Sequence, residues 1–276
     1  MADVIEVNDE EIAALAQSIL TRYGIDFTCY EPKSLRRRIT RVMSLYELNS
    51  IHELWKKFLF EAEFIKTFMN EISVGMTSMF RDPVLWKALK RRLNLEFHSR
   101  TSLSIWHSGC STGEEVFSMG ILLREINLSH KATAHCTDIN EAALQEARSG
   151  VYHKIKMIEN EASYREFNNR SDFSKYYTPD SKQVQMDLNL IKHAHFEYQN
   201  LITDIYPKGF DMIFCRNVMI YFDNAAKLKL IDKFHQSLNP GGYLIIGFFD
   251  TMGHLMDNSK FKLVDEAAKI FQKCEP

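Results

Sequence analysis

Residues Phe210-Asp211-Met212-Ile213-Phe214 form an apolar run that ends in Cys215-Arg216-Asn217. A run this short and this apolar reads as a strand buried inside a sheet. An Arg-Asn pair at its carboxyl end falls where open α/β sheets bind ligands. A guanidinium is costly to bring there without an anionic partner, and Tyr221 adds a hydroxyl four residues after Asn217. Upstream, the loop Gly109-Cys110-Ser111-Thr112-Gly113-Glu114-Glu115 follows a second strand candidate, Leu103–His107. Together the two strand ends point to a cofactor-binding enzyme.

The rhythm of strand, loop and helix continues through this half of the chain. Ser118–Ile126 lies in the helix after the glycine loop, Ala132–Thr137 is a strand ending at Asp138, and Glu141–Arg148 is a helix. Asn224–Leu238 is a helix with Leu230, Ile231, Phe234 and Leu238 inward; Asn239-Pro240-Gly241-Gly242 reads as the turn that stops it, and Tyr243–Phe248 as a further strand. Such alternation predicts a mainly parallel sheet covered on both faces. Residues 150–199 break the rhythm. They are polar and end in Leu190, Lys192, Ala194, Phe196 and Tyr198 on one side, the pattern of an exposed antiparallel strand. This stretch is expected to be a small inserted β-subdomain.

Residues from about 10 to 72 read as four helices, with apolar stripes of Ile12, Leu15, Ala16 and Ile19, then Leu35, Ile39, Val42, Met43 and Tyr46, then Ile51, Leu54, Trp55, Phe58 and Leu59, then Phe64, Ile65, Phe68, Met69 and Ile72. Ser50 and Glu53 form a capping box that opens the third. The second helix carries Arg36, Arg37, Arg38 and Arg41, expected away from its stripe. That face is either a solvated surface or a docking surface for an acidic partner.

Composition excludes several classes. The formal net charge of −2 argues against a nucleic-acid binder. No apolar run approaches a membrane span, and the acidic start of the chain does not read as a signal peptide. The five cysteines are scattered without a CxxC pair, so free thiols in a reducing cytosol are expected. His193 and His195 share a strand face but lack an evident third ligand, so no metal is expected.

The glycine loop lacks the GxGxxG spacing of dinucleotide folds and the Lys-Ser/Thr of a P-loop. Both absences disfavour pyrophosphate and triphosphate ligands. A loop flanked by carboxylates suits a cofactor with no phosphate and a positive end, and S-adenosylmethionine fits; the alternative is a plain glycine turn. Asp138, at the end of its strand, is placed to accept from ribose hydroxyls.

Several ordered motifs then match one family. They are Tyr23-Gly24-Ile25-Asp26-Phe27 with Tyr30 and the Arg-rich helix; Thr77-Ser78-Met79-Phe80-Arg81; Ser111-Thr112-Gly113-Glu114-Glu115; Thr137-Asp138-Ile139 followed by Ala147-Arg148-Ser149-Gly150-Val151-Tyr152; Asn200-Leu201; and the run from Cys215 to Asp223. From about Ile19 onward the chain resembles the CheR chemotaxis-receptor methyltransferases, S-adenosylmethionine-dependent enzymes that methylate protein glutamates. The resemblance implies an α/β fold: a Rossmann-like class I methyltransferase domain over residues 74–276, with a small antiparallel β-subdomain inserted at 150–199, preceded by an all-α domain over residues 1–73. It implies that Thr77, Arg81, Glu114, Asp138, Asn200, Leu201, Arg216 and Asn217 line the cofactor pocket. Arg81 and Tyr221 would lie near the transferred methyl group. Arg36, Arg37, Arg38 and Arg41 would meet the acidic cytoplasmic helix of a chemoreceptor. The protein is expected to be a cytoplasmic monomer.

The implied chemistry needs no Ser-His-Asp or Cys-His arrangement. A glutamate carboxyl with an ordinary pKa near ~4.3 is already an anion at neutral pH. The enzyme has only to align carboxylate, methyl carbon and sulfur.

Four positions depart from the family pattern. Gly75 stands where many members have Asn. Gly247-Phe248-Phe249-Asp250 replaces a run close to Gly-His-Ser-Glu. No glycine-rich loop for gripping a receptor's terminal pentapeptide is visible between Asn168 and Gln183, so no such tether is expected. Val42 replaces the second arginine of the basic helix pattern. Gly75 and the Phe248-Phe249 pair leave open a binding protein that has lost turnover, or a methyltransferase for another protein.

Overall fold

A computed structural model describes residues 7–73, 75–250, 252 and 254–274. The ends of the expected domains at 1–6, 74 and 275–276 lie outside the described residues. The chain divides into two compact units: residues 7–73 with 219–230, and residues 75–218 with 231–274.

The first unit is built on α1 (Asp9–Tyr23), α2 (Pro32–Leu45), α3 (Ile51–Phe60) and α4 (Phe64–Ile72). Three of the four helices start where the sequence supplies a side-chain acceptor, and α4 starts without one. Asn8 and Glu11 form a reciprocal capping box on α1. Glu31 accepts from Lys33 N and Ser34 N ahead of Pro32, which as the first helical residue has no N–H to satisfy. At α3 the Ser50 hydroxyl accepts from Glu53 N at 3.4 Å, but the Glu53 carboxylate reaches Asn49 N at 2.8 Å instead of Ser50 N. The expected box is therefore closed one residue earlier. The stripes meet in a core of Leu15, Ile19, Ile39, Val42, Leu54, Phe58, Phe68 and Ile72, all buried. Phe58 and Phe68 meet edge to face at 4.9 Å. Residues 219–230 join this unit through backbone hydrogen bonds: Glu31 N donates to Tyr221 O, and Asp223 N donates to Cys29 O, both at 2.9 Å.

The second unit contains, in chain order, α5 (Pro83–Glu96), β1 (Leu103–Ser108), α6 (Glu114–Glu125), β2 (Ala132–Asp138), α7 (Glu141–Ser149), β3 (Val151–His153), α8 (Lys156–Phe167), β4 (Tyr177–Pro179), β5 (Gln183–Met186), β6 (Ala194–Tyr198) and β7 (Phe210–Cys215). Helix α9 (Asn224–Ser237) starts in the first unit and ends in the second, which closes with β8 (Leu238–Ile246), β9 (Phe261–Asp265) and β10 (Ile270–Lys273). Seven strands form one sheet in the order β6-β2-β1-β7-β8-β10-β9. The first five are parallel, and β10 runs antiparallel to both β8 and β9. Every residue of β7 is buried, as its apolar run requires. The chain leaves β1 toward β2 and β6 and then returns to β7 on the other side of β1. That reversal is the switch point of a doubly wound sheet, and the loops after β1 and β7 meet there.

Two strand expectations are corrected. The stretch ending at Tyr198 is not an antiparallel strand of the insertion. It is β6, parallel to β2 in the register Ala134↔Ala194 to Asp138↔Tyr198, at the edge of the main sheet. Its half-exposed alternation reflects an edge position, which sequence periodicity cannot distinguish from an antiparallel strand. The insertion's own sheet is β3-β5-β4, antiparallel throughout. The second correction is Asn239-Pro240-Gly241-Gly242, which is a bulge inside β8 and not a turn before it. Phe210 pairs with Leu238 and Met212 with Tyr243, so the four residues loop out where Pro240 has no N–H to give the ladder.

Gly120 sits in the middle of α6, where alanine has the higher helix propensity. A Cβ there would lie 2.2 Å from the carbonyl oxygen of Leu190. Overpacking against backbone typically costs about 1–3 kcal/mol, against a helix gain of about 0.5–1 kcal/mol. We expect Gly120→Ala to lower unfolding free energy in urea despite its better propensity; an unchanged or raised midpoint would contradict this packing.

Candidate functional site

The carboxyl ends of β1, β2, β6, β7 and β8 and the segment leading into α5 carry one linked set of polar groups of the second unit. After β1 the chain turns through Gly109, Ser111 and Gly113, all with left-handed backbone (φ 76°, 50° and 90°). At Gly113 a side chain is excluded, because a Cβ would lie 2.8 Å from that of Ala147. Gly109 N and Cys110 N donate to Thr137 O, at 2.7 and 2.9 Å, which ties the loop to the end of β2.

Asp138 follows Thr137 and organises the loop from the other side. One carboxylate oxygen accepts from Ser111 N at 2.8 Å and the other from Asn140 N at 2.9 Å. Burial pushes the Asp138 carboxyl above the usual carboxylate range, against the pull of the backbone donors Asn140, Ser111 and Ile139. Its oxygens keep acceptor capacity beyond these bonds. A carboxylate fixed in this way with acceptor capacity remaining suits a ribose hydroxyl, so the residues present fit an adenosine ribose.

Glu114 and Glu115 open α6, where the helix N-terminus favours negative charge. They have different partners. Glu114 is fully buried; its oxygens accept from Thr112 Oγ1 at 2.6 Å and Lys156 Nζ at 3.0 Å. Burial raises its pKa, and Lys156 and Thr112 counter only part of the rise. Glu115 takes His107 Nδ1 at 2.8 Å and Arg216 Nη1 at 2.9 Å. An ionised carboxylate only accepts, so the proton lies on His107 Nδ1. Burial pushes the Glu115 carboxyl up, but the bonds from His107 and Arg216 outweigh it and leave it below the ordinary range.

Arg216 is the centre of this network. Its side chain is 5% exposed and bridges Glu115 and Asp82, with Nη2 also donating to Arg81 O at 3.0 Å. The expected anionic partner of this arginine is therefore a pair of protein carboxylates, Glu115 and Asp82 (2.7 Å). Asn217 follows with left-handed φ of 58°, and its N–H donates to Asp250 Oδ2 at 2.8 Å. The same oxygen accepts from Gly247 N at 2.7 Å. Asp250 is 3% exposed, while Phe248 and Phe249 beside it are 58% and 63% exposed and pack edge to face. The departure in this run thus has two parts: a buried carboxylate that locks β7 to β8, and a pair of outward aromatics.

The structure brings Arg81, Glu114, Asp138, Asn200, Arg216 and Asn217 to this edge of one sheet. Arg81 lies between Phe80 and Asp82, both with left-handed backbone, and its Nη1 donates to Met76 O. Thr77 is half-buried on the segment before it. Asn200 and Leu201 are buried; Asn200 N donates to Asp204 and its side chain caps Ile202 N. Tyr221 belongs to the first unit, where its ring lies against Arg38.

The basic helix requires a correction. Arg37 and Arg41 are exposed and Arg36 pairs with Asp9, but Arg38 is buried at 6% exposure and donates to Ile72 O at 2.6 Å. Helical geometry explains it: Arg38 is three residues after Leu35 and four before Val42, on the apolar stripe itself. It does not belong to the outward face. The motifs of the sequence do not single out His107, Glu115, Asp82 and Asp250 as site residues. Two signals are available: a second carboxylate at a helix start, and an acidic residue closing the run Gly247-Phe248-Phe249-Asp250.

Comparison with known proteins gives two family matches. Residues 75–270 match the family described as "CheR methyltransferase, SAM binding domain", and residues 10–73 match "CheR methyltransferase, all-alpha domain". A Pseudomonas putida protein named "Putative methyltransferase Cher3" is 31% identical over 265 residues, covering 96% of this chain and 97% of that one. A Listeria innocua "Chemotaxis protein methyltransferase" is 32% identical over 227 residues, covering 81% and 83%. One from Borreliella burgdorferi with the same name is 28% identical over 266 residues, covering 90% of each.

The Glu115–Arg216 contact has a testable pH signature. A carboxyl with a depressed folded pKa stabilises the fold above its unfolded pKa, near ~4.3, and loses that contribution as pH falls through the folded value. We expect Glu115→Gln to cost about 2–3 kcal/mol at pH 7, the scale of a charged hydrogen bond. The deficit should shrink as pH falls from the unfolded value through the lower folded one, below which wild-type Glu115 is protonated too. Urea unfolding at pH 7 and at stepped acidic pH reads both; a deficit independent of pH would refute the assignment.

Proposed function

Because the chain belongs to the CheR methyltransferase family, we propose that it transfers a methyl group to glutamate side chains on the cytoplasmic helices of chemotaxis receptors. Its cofactor is S-adenosylmethionine. The observation that carries the proposal is the match of both family domains, 10–73 and 75–270, joined to a fixed carboxylate acceptor, Asp138, at the switch-point edge of the sheet.

S-adenosylmethionine supplies an electrophilic methyl on a sulfonium. The chain's residues bind and orient. Asp138 takes the ribose hydroxyls. Asn200 and Leu201, held by the Asn200–Asp204 turn, take the base. Thr77, Arg81 and Asn217 line the remaining wall. Glu114 supplies buried negative charge where Lys156 now provides the counter-cation, and the cofactor's ammonium would take that cation's place. Arg216 holds the wall from inside, since its guanidinium is already bonded to protein carboxylates. Arg81 and Tyr221 orient the substrate carboxylate, which is an anion at neutral pH and needs no general base. Arg36, Arg37 and Arg41 meet the acidic receptor helix. The product ester removes one negative charge from that helix.

A second reading has one observation in its favour. The outward Phe248–Phe249 pair, where members of the family carry polar residues, suits a protein substrate with apolar residues beside its glutamate.

Calorimetric titration of S-adenosylhomocysteine into wild type and Asp138→Ala tests the cofactor site. We expect the mutant to bind at least about tenfold more weakly, the loss of one charged hydrogen-bond acceptor. Radiolabelled methyl transfer to purified receptor cytoplasmic fragments tests the substrate, with release of the label as methanol in mild alkali identifying an ester. Absence of binding by wild type would overturn the enzyme reading. Transfer to other proteins but not to receptors would select the second reading.

A further inference from the structure

Arg38 is the buried cation of the first unit, and among the described residues it pairs with no carboxylate. Its side chain lies at 6% exposure on the apolar stripe of α2. One nitrogen donates to Ile72 O at 2.6 Å, while Nε and Nη2 are buried without an acceptor. The centre of the guanidinium sits 3.6 Å from the centroid of the Tyr221 ring. Burial pushes the Arg38 pKa down, as expected for a cation taken out of water without an anion. A cation on a ring face is held by the ring's quadrupole, and the attraction grows when the pair is desolvated. Planarity matters here: guanidinium stacks on an aromatic face, and an ammonium does not.

The ring is held from both ends. Its backbone is fixed where Glu31 N donates to Tyr221 O at 2.9 Å, one residue before α2 begins. Its face is fixed by Arg38, almost two turns into the same helix. The neighbouring Phe222 packs edge to face on Tyr30 at 5.0 Å. Helix α2 therefore sets both the position and the tilt of Tyr221, while its Arg37 and Arg41 stand on the solvent side.

We propose that Arg38 is a positioning residue for Tyr221: it stacks on the phenol ring and fixes the direction of the hydroxyl, and it makes no contact with the partner protein. The inference rests on the proposed role of Tyr221 in orienting the substrate carboxylate. It separates the basic helix into an outward set that binds and one inward residue that aligns.

The test is a double-mutant cycle in methyl transfer to receptor fragments, with Arg38→Lys, Tyr221→Phe and the pair. Arg38→Lys should lower kcat about tenfold, a modest case of misalignment, with the protein KM and S-adenosylhomocysteine affinity within about twofold. In the Tyr221→Phe background the same change should cost little more, since no hydroxyl remains to align. A tenfold rise in KM at constant kcat, or losses that multiply across the pair, would overturn the proposal in favour of a docking contact. A spectroscopic arm works without activity. In protein labelled with ring-13C tyrosine, the signal missing from Tyr221→Phe identifies Tyr221. That signal should move in Arg38→Lys and stay in place in Arg37→Ala and Arg41→Ala; an unmoved signal in Arg38→Lys overturns the proposal. Arg38→Met covers the case in which lysine unfolds the domain. If wild type fails to methylate receptors while the Tyr221 signal still depends on Arg38, the substrate reading falls and the positioning inference stands.

Discussion

The bridge from Arg216 to Glu115 and Asp82 is the contact on which the carboxyl-end loops depend. Three separate segments meet on one guanidinium: the end of β7, the start of α6 and the residues ahead of α5. A cation at 5% exposure is stable only because two carboxylates and a carbonyl replace its water. Glu115 in turn holds His107 on β1. The network thus fastens the strand ends on both sides of the switch point. Removing Arg216 would take the shared cation from all three segments and leave the buried Glu115 with His107 alone, so the cost would not stay local.

The same edge collects backbone strain. Phe80, Asp82, Ser111 and Asn217 have left-handed φ without being glycine. Each is held from outside its own turn. Phe80 N donates to Ser118 Oγ, Asp82 is gripped by Arg216, Ser111 N donates to Asp138 and Asn217 N donates to Asp250. Strain of about 1–3 kcal/mol per residue persists only where surroundings over-determine it. Here the determinants are two carboxylates, one guanidinium and one hydroxyl, each from another segment of the chain. The loops are therefore stiff for the same reason that they are polar.

Much of this was legible in the sequence. The apolar run of β7, the glycine loop before α6 and Asp138 after β2 announced a parallel sheet with a ligand at its carboxyl edge. The four stripes of the helical unit have their centres where periodicity puts them, at Leu15, Ile39, Leu54 and Phe68, but the third is narrower than expected: Leu59 is 50% exposed and Ile51 and Trp55 are only partly buried. The errors have a common physical cause. A short alternating strand reads the same at the edge of a parallel sheet as in a hairpin, so β6 was assigned the wrong neighbours. Asn-Pro-Gly-Gly serves a bulge as well as a turn, since both need a missing donor and freedom in φ. Arg38 was read from its charge, while its position between Leu35 and Val42 already placed it inside. The partners of Glu115 and Asp250 come from residues about a hundred and thirty-three positions away, respectively, and no local pattern encodes such a distance.

If the proposed reaction holds, the nucleophile is already an anion, and this changes what the active site has to contain. There is no proton to remove, so rate comes from alignment and from a cavity that does not relax. Such a site needs few reactive groups and many rigid ones. In the second unit the polar side chains are largely committed to each other: Glu115 to His107 and Arg216, Glu114 to Thr112 and Lys156, Asp250 to the ends of β7 and β8. Asp138 differs, because its two bonds fix it without exhausting it. On the proposed function, this contrast between carboxylates separates the frame of the site from the surface that would meet the cofactor.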